Sequence, residues 1–382
     1  MQNKSKNSRR KFIRQCAMGT GACLYGVPGL LAANNTGGEA GNFRPGKHSI
    51  EAIYYLKTPR GLKCLLCPNE CTITKDEPGD CRTRMAYENK LYSIAYGNPC
   101  ALHVDPIEKK PLYHFLPSTK AFSIATAGCN LACLNCQNWQ ISQKSPLETR
   151  NYDLMPGKVY QAAQKYQCES IAYTYSEPIV FYEYVRDSSL RASEHGLRNV
   201  LISAGYINEK PLREMAQFID AANIDLKSFE DEIYMRLNAG GLDPVLRTLK
   251  ILKEEGVWLE ITNLIVPDWT DDLDMIKKMC DWLASNGFED TPLHFSRFQP
   301  MYKLKHLPAT PEHLLYKAKE IAENAGLRFV YIGNLPGSKA QHTYCPECHE
   351  LLIERKGYQV QQNRFNDGKC ENCGTKIPGV WK

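Results

Sequence analysis

From Ala121 onward the chain alternates short apolar runs with amphipathic stretches, and this alternation narrows the available folds more than any other feature. Strands are expected at Phe122–Thr126, Ile171–Tyr175, Val200–Ser203, Asn223–Leu226, Trp258–Ile265, Leu293–Phe298 and Arg328–Ile332. Helices are expected between them, at Lys158–Tyr166, Val180–Glu194, Leu212–Ala221, Pro244–Glu255, Leu273–Ser285 and Glu312–Asn324. Gly196, Gly256, Gly287 and Gly326 follow four of these helices, where a left-handed residue ends the last turn. Strand–helix alternation implies parallel pairing with crossover helices. Six or seven such units make a closed or partial barrel, whose active site lies at the C-terminal ends of the strands.

The first expected strand runs directly into Gly128-Cys129-Asn-Leu-Ala-Cys133-Leu-Asn-Cys136-Gln-Asn-Trp139. Three thiolates at C-x3-C-x2-C spacing can ligate three irons of a 4Fe–4S cluster and leave the fourth iron open. An open position on a metal is where a substrate or cofactor binds. The alternative is a zinc site made of these thiols and a distant fourth ligand, although structural zinc usually takes paired knuckles.

Eleven of the sixteen cysteines fall into three groups with metal-ligand spacing. Cys64, Cys67, Cys71 and Cys81 form a second group, expected to hold structural zinc or a coordinatively saturated cluster. Cys345-Pro-Glu-Cys348 and Cys370-Glu-Asn-Cys373 form the third, read as a zinc ribbon or rubredoxin-like hairpin holding Zn2+ or iron. Leu351–Ile353 and Tyr358–Val360 supply the strands of that hairpin. Cys16, Cys23, Cys100, Cys168 and Cys280 are left to packing or to the leader.

The net charge of +5 is misleading, because Lys4, Lys6, Arg9, Arg10, Lys11 and Arg14 lie in an acid-free leader. Without them 41 basic residues face 42 acidic ones, so bulk charge gives no case for nucleic-acid binding. Ser8-Arg9-Arg10-Lys11-Phe12-Ile13-Arg14 looks like a twin-arginine export signal. The stretch after it is too broken by glycine and Pro28 for a transmembrane helix. The expectation is export, with an uncleaved basic N-terminus in the cytoplasm as the alternative. The expected organisation is a signal at 1–33, a linker at 34–49, a four-cysteine module at 50–118, the barrel at 119–338 and a C-terminal metal module at 339–382.

The Cys129–Cys136 spacing resembles the signature of radical S-adenosylmethionine (SAM) enzymes. Longer strings extend the likeness over nearly all of residues 50–382. They are the Cys64–Cys81 module, Asp105–Phe115, Gly128–Trp139, Tyr173–Pro178, Asn223–Lys227, Pro292–Phe298, Tyr331–Gly337 and the terminal Cys pairs. Together they are most similar to the radical SAM member of the AmmeMemoRadiSam system, a relative of pyruvate formate-lyase activating enzymes. The resemblance implies a partial (β/α)6-type radical SAM barrel and a cluster on Cys129, Cys133 and Cys136. It also implies that SAM is cleaved by one electron to methionine and a 5′-deoxyadenosyl radical. It assigns Glu177, in Ser176-Glu177-Pro178, to the SAM amine, and Asp225 and Lys227 to the ribose or carboxylate. A rim salt bridge is the plain alternative for that last pair. The implied partners are SAM, a one-electron donor, and a protein substrate or system partners. A glycine of a partner protein is the hydrogen source in the activase variant. A multi-cluster electron carrier without SAM chemistry is the reading from another class. The chain departs from the pattern at Ser203-Ala204-Gly205, where relatives often have Asn-Gly.

Overall fold

The structure, a computed structural model, describes residues 32–33, 43–75 and 77–381. The Ser8–Arg14 stretch lies outside them, and no helix among the described residues is long and apolar enough to cross a membrane.

The core is one eight-stranded sheet: β1 (Ala101–Pro106), β2 (Lys120–Ala125), β3 (Ser170–Tyr173), β4 (Arg198–Ser203), β5 (Ala221–Asp225), β6 (Trp258–Ile265), β7 (Leu293–Arg297) and β8 (Val330–Gly333). Strands β2 to β8 pair in sequence order and all in parallel. The helices α1 (Pro156–Lys165), α2 (Tyr182–Glu194), α3 (Glu209–Ala216), α4 (Leu242–Glu254), α5 (Leu273–Ser285) and α6 (Glu312–Asn324) each join two of them. This is an α/β architecture built on a mostly parallel sheet, six strand–helix units followed by a seventh strand. The β1 and β8 edges do not pair, so the barrel is partial. Strand β1 runs antiparallel to β2 and was not separated from the N-terminal module by sequence pattern.

Each helix buries a stripe at helical spacing: Val245, Leu249 and Leu252 on α4, and Ile276, Met279 and Leu283 on α5. These meet Phe122, Ile124, Ile171, Leu201, Ile224 and Ile261 on the sheet. Full burial of each such side chain contributes about 1.5–3 kcal/mol.

Alternate strand positions face inward and are smaller or polar, among them Ser123, Asn223, Glu260, Thr262 and His294. Chain between β1 and β2 plugs this interior from the N-terminal end of the strands. Glu260 accepts hydrogen bonds from the Tyr113 and His114 amides at 2.9 and 2.7 Å, and it lies 2.7 Å from His294 Nε2. Asn223 donates to the Pro111 carbonyl at 2.8 Å.

The C-terminal module docks under the plug. Arg355, 1% exposed, donates to the Tyr113 carbonyl at 2.8 Å and sits 4.1 Å from the Tyr113 ring centroid. The Val380 amide donates to the His114 carbonyl at 2.7 Å. Leu351–Lys356 and Gln359–Asn363 form the expected antiparallel hairpin.

His114 is a hinge of this docking. Its Nδ1 lies 2.7 Å from the Pro378 carbonyl and its Nε2 lies 2.6 Å from the Tyr331 hydroxyl. A carbonyl only accepts, so Nδ1 carries the proton and Nε2 accepts from Tyr331, which fixes the neutral tautomer. Burial pushes the pKa of His114 down to about 4. A base whose pKa falls on folding binds fewer protons when folded. Its stabilisation is therefore complete above the ordinary histidine pKa and is lost as pH falls towards the folded value. Urea unfolding should lose on the order of 3 kcal/mol from this group between pH 6.5 and 4. His114→Gln should flatten that decline; an unchanged slope would remove His114 as its source.

Candidate functional site

The Cys129–Cys136 loop leaves the C-terminal end of β2, the face where barrel active sites form. Two neighbours fix its path. Gly128 has φ +104°, and a Cβ there would stand 2.5 Å from the Cys81 carbonyl oxygen, so glycine is required. On the other side the Ala132 and Leu134 amides donate to the Asn238 and Leu237 carbonyls, both at 2.9 Å. Asn238 ends a π-helical turn, Tyr234–Asn238, of the kind often found at functional sites.

Each sulfur has a polar neighbour. The Leu131 amide donates to Cys129 Sγ at 3.4 Å, and Asn238 Nδ2 donates to Cys133 Sγ at 3.2 Å. Ser142 Oγ lies 3.1 Å from Cys136 Sγ. Hydrogen bonds to sulfur are one of the controls on an iron–sulfur potential. Burial still pushes the Cys129 thiol well up, and the Glu177 carboxylate adds to this. Burial also raises Cys133, opposed by Lys227 and Asn238.

Glu177 begins the turn after β3 and is 4% exposed. Its carboxylate accepts from the Ser203 hydroxyl at 2.6 Å, the Ala204 amide at 2.8 Å and the Ile179 amide at 3.2 Å. Burial raises its pKa against these three donors and the charge of Lys227. Asp225 ends β5, and its carboxylate pairs with Lys227 Nζ at 2.8 Å. Burial alone would lower the Lys227 pKa, but Asp225 and the Cys133 sulfur outweigh it, and the ammonium is held. The rim salt bridge is therefore real, and it stands beside the cysteine loop.

The triad, Glu177, Asp225 and Lys227 thus share one rim. Sequence reasoning missed Asn238, Ser142 and the Leu131 amide. Asn238 closes the π-turn Tyr234–Asn238, and a π-turn leaves no spacing signature. Tyr175 was also missed: it has φ +65°, its carbonyl accepts from Asn138 Nδ2 at 2.7 Å, and its hydroxyl bonds Asp105.

The two remaining cysteine groups lie elsewhere. Cys64, Cys67, Cys71 and Cys81 sit behind the triad loop, tied to it by Asn69 Nδ2 donating to the Asn130 carbonyl at 2.9 Å. Cys345, Cys348, Cys370 and Cys373 lie at the opposite end of the strands; the first three pack in a cluster with Tyr113, Phe329 and Tyr331, and Cys373 is exposed. Their sulfurs all lie within 4.8 Å of one another, with Cys345–Cys373 and Cys348–Cys370 each at 3.6 Å. Four thiolates bonded tetrahedrally at 2.3 Å stand about 3.8 Å apart, so these can hold one metal ion. Metal analysis should find one tightly held ion that Cys348→Ser removes. At free ion 100-fold above Kd its loss should cost about 2.7 kcal/mol of stability. Unchanged metal content in the variant would remove this assignment.

The model of the Radical SAM superfamily matches residues 123–283, from β2 to the end of α5. An uncharacterized protein of Methanocaldococcus jannaschii is 43% identical over 330 residues, covering 86% of this chain and 98% of the relative. Pyruvate formate-lyase 1-activating enzyme of Escherichia coli strain K12 is 24% identical over 220 residues, covering 53% of this chain and 89% of that one. Among solved structures, a radical SAM methyltransferase from Sphaerobacter thermophilus aligns with a TM-score of 0.46 at 12% identity, covering 57% of this chain and 67% of that one. The chain belongs to the radical SAM superfamily and has relatives among the pyruvate formate-lyase activating enzymes.

Proposed function

We propose that this protein cleaves SAM reductively, with Cys129, Cys133 and Cys136 holding a 4Fe–4S cluster and Glu177 receiving the SAM amine. The observation that carries the reading is the three-thiolate loop, its sulfurs met by donors, on the same strand-end rim as Glu177 and the Asp225–Lys227 pair. The donor set fits the group: three sulfurs for three irons, and no fourth cysteine of this loop to close the last position. When bound, the cluster and SAM supply one-electron cleavage of a sulfonium to methionine and a 5′-deoxyadenosyl radical.

The chain's own residues then have distinct tasks. Asn238 and the Leu131 amide offset charge on the sulfurs. Ser203 and the Ala204 amide aim the Glu177 carboxylate by holding both of its oxygens. Lys227, kept charged by Asp225, offers a cation to a carboxylate at the rim. The barrel wall excludes water and stray hydrogen donors. The activase variant, in which the hydrogen comes from a glycine of a protein substrate, draws on the pyruvate formate-lyase activating relatives and on Asp225-Leu226-Lys227.

The test is anaerobic reconstitution, reduction and EPR with and without SAM, together with assay of 5′-deoxyadenosine. The expected result is a SAM-shifted cluster signal and 5′-deoxyadenosine, both lost in Cys133→Ala. A cluster signal indifferent to SAM, with no 5′-deoxyadenosine, would sink the reading and favour an electron carrier. Asn238→Leu should keep the cluster and move its midpoint potential to more negative values, since a donor to sulfur is gone. A shift of about 59 mV would be a tenfold change in the one-electron equilibrium. An unmoved midpoint would leave Asn238 a loop anchor only.

A further inference from the structure

The thiols of Cys64, Cys67, Cys71 and Cys81 line one pocket. Its other walls include Arg84, Asn130 and Val180. This quartet is built on a different scale from the C-terminal one. Among the described residues, the group whose ligand atoms all lie within 4.8 Å of one another is Cys345, Cys348, Cys370 and Cys373. The N-terminal sulfurs do not meet that limit. One tetrahedral ion draws four thiolates to about 3.8 Å apart. A polynuclear iron–sulfur core interposes iron and sulfide, and so holds its four thiolates wider.

A second observation points the same way. Arg84 is 2% exposed and lines this space. Its Nη1 donates to Glu183 at 2.8 Å, but its Nε and Nη2 have no partner. A buried unmet donor costs about 1–3 kcal/mol, and more on a charged group. Arginine cannot shed its proton, so the fold retains a cation with spare donors beside four sulfurs. An anionic, sulfur-rich occupant would take up both the charge and the donors.

We propose that Cys64, Cys67, Cys71 and Cys81 ligate a second iron–sulfur cluster, with Arg84 as the donor to its sulfur atoms. Four cysteines saturate either a 2Fe–2S or a 4Fe–4S core. No iron is left open, so this cluster takes neither SAM nor substrate. The assignment does not depend on whether the Cys129 loop cleaves SAM.

The test uses the full chain, reconstituted anaerobically with iron and sulfide. In the variant Cys129→Ala/Cys133→Ala/Cys136→Ala, labile sulfide and an EPR signal after reduction should persist, and SAM should not alter the signal. Adding Cys67→Ser and Cys71→Ser should abolish both, with circular dichroism reporting retention of the barrel. Should the triad variant fail to fold, wild-type sulfide is the readout: a content above the four of a single 4Fe–4S cluster supports the proposal. Arg84→Gln should keep the iron and shift the midpoint to more negative values. Two zinc ions per chain with no sulfide beyond the triad's would overturn the proposal, as would a folded protein with no metal on this quartet. SAM sensitivity is read separately in the wild type, so either assignment can fail alone.

Discussion

A buried cysteine sulfur can carry thiolate charge only where donors and cations meet it, and the loop after β2 is arranged around that constraint. The triad loop has three kinds of compensation. The Leu131 amide comes from the loop itself, Asn238 from the π-turn after β5, and Lys227 from the strand end. The π-turn serves twice, because its Leu237 and Asn238 carbonyls also take the Leu134 and Ala132 amides. A single irregular turn thereby sets the loop's path and supplies the donor that faces Cys133.

The N-terminal module belongs to the same mechanical unit. Thr83 Oγ1 donates to the Val180 carbonyl at 2.8 Å, and Arg84 pairs with Glu183 at the start of α2. Cys81 presses its carbonyl against Gly128, the residue before the first triad cysteine. A buried ion pair is costly to break, on the order of 3–5 kcal/mol when one partner is removed. The module is therefore joined to the residues that aim the triad, and movement of one cysteine group strains the other. Among the described residues the C-terminal module has no such link to the rim; it caps the plugged end of the barrel through Arg355, His114 and Val380.

The sequence made the regular parts legible because their signal is local. The expected spans Trp258–Ile265, Leu273–Ser285 and Glu312–Asn324 match β6, α5 and α6 residue for residue. Others shift at their ends: Leu212–Ala221 becomes Glu209–Ala216, because Asn208 opens the helix and Gln217 closes it. Strand β1 was hidden for another reason. It alternates weakly and pairs antiparallel at an edge, so nothing in Ala101–Pro106 marks it as barrel rather than module. The cysteine groups were legible because their C-x2-C and C-x3-C spacing is a local signal. Asn238 and Ser142 were not, because a polar group that meets a sulfur can come from any part of the chain that packs nearby.

The departure at Ala204 shows how position and side chain separate. The group that Ala204 contributes to the rim is its amide N–H, which holds one oxygen of Glu177 while Ser203 holds the other. A main-chain donor survives any substitution except proline, so the carboxylate remains oriented with alanine at this position. Gly205, at φ +67°, lets the chain turn directly afterwards; its amide lies 2.9 Å from the Ser203 hydroxyl, and its carbonyl accepts from Thr248 at 2.7 Å. What an asparagine would add is a side chain reaching further over the rim, not the setting of Glu177. The rim's geometry is written in backbone amides and one serine, and the departure leaves those donors intact.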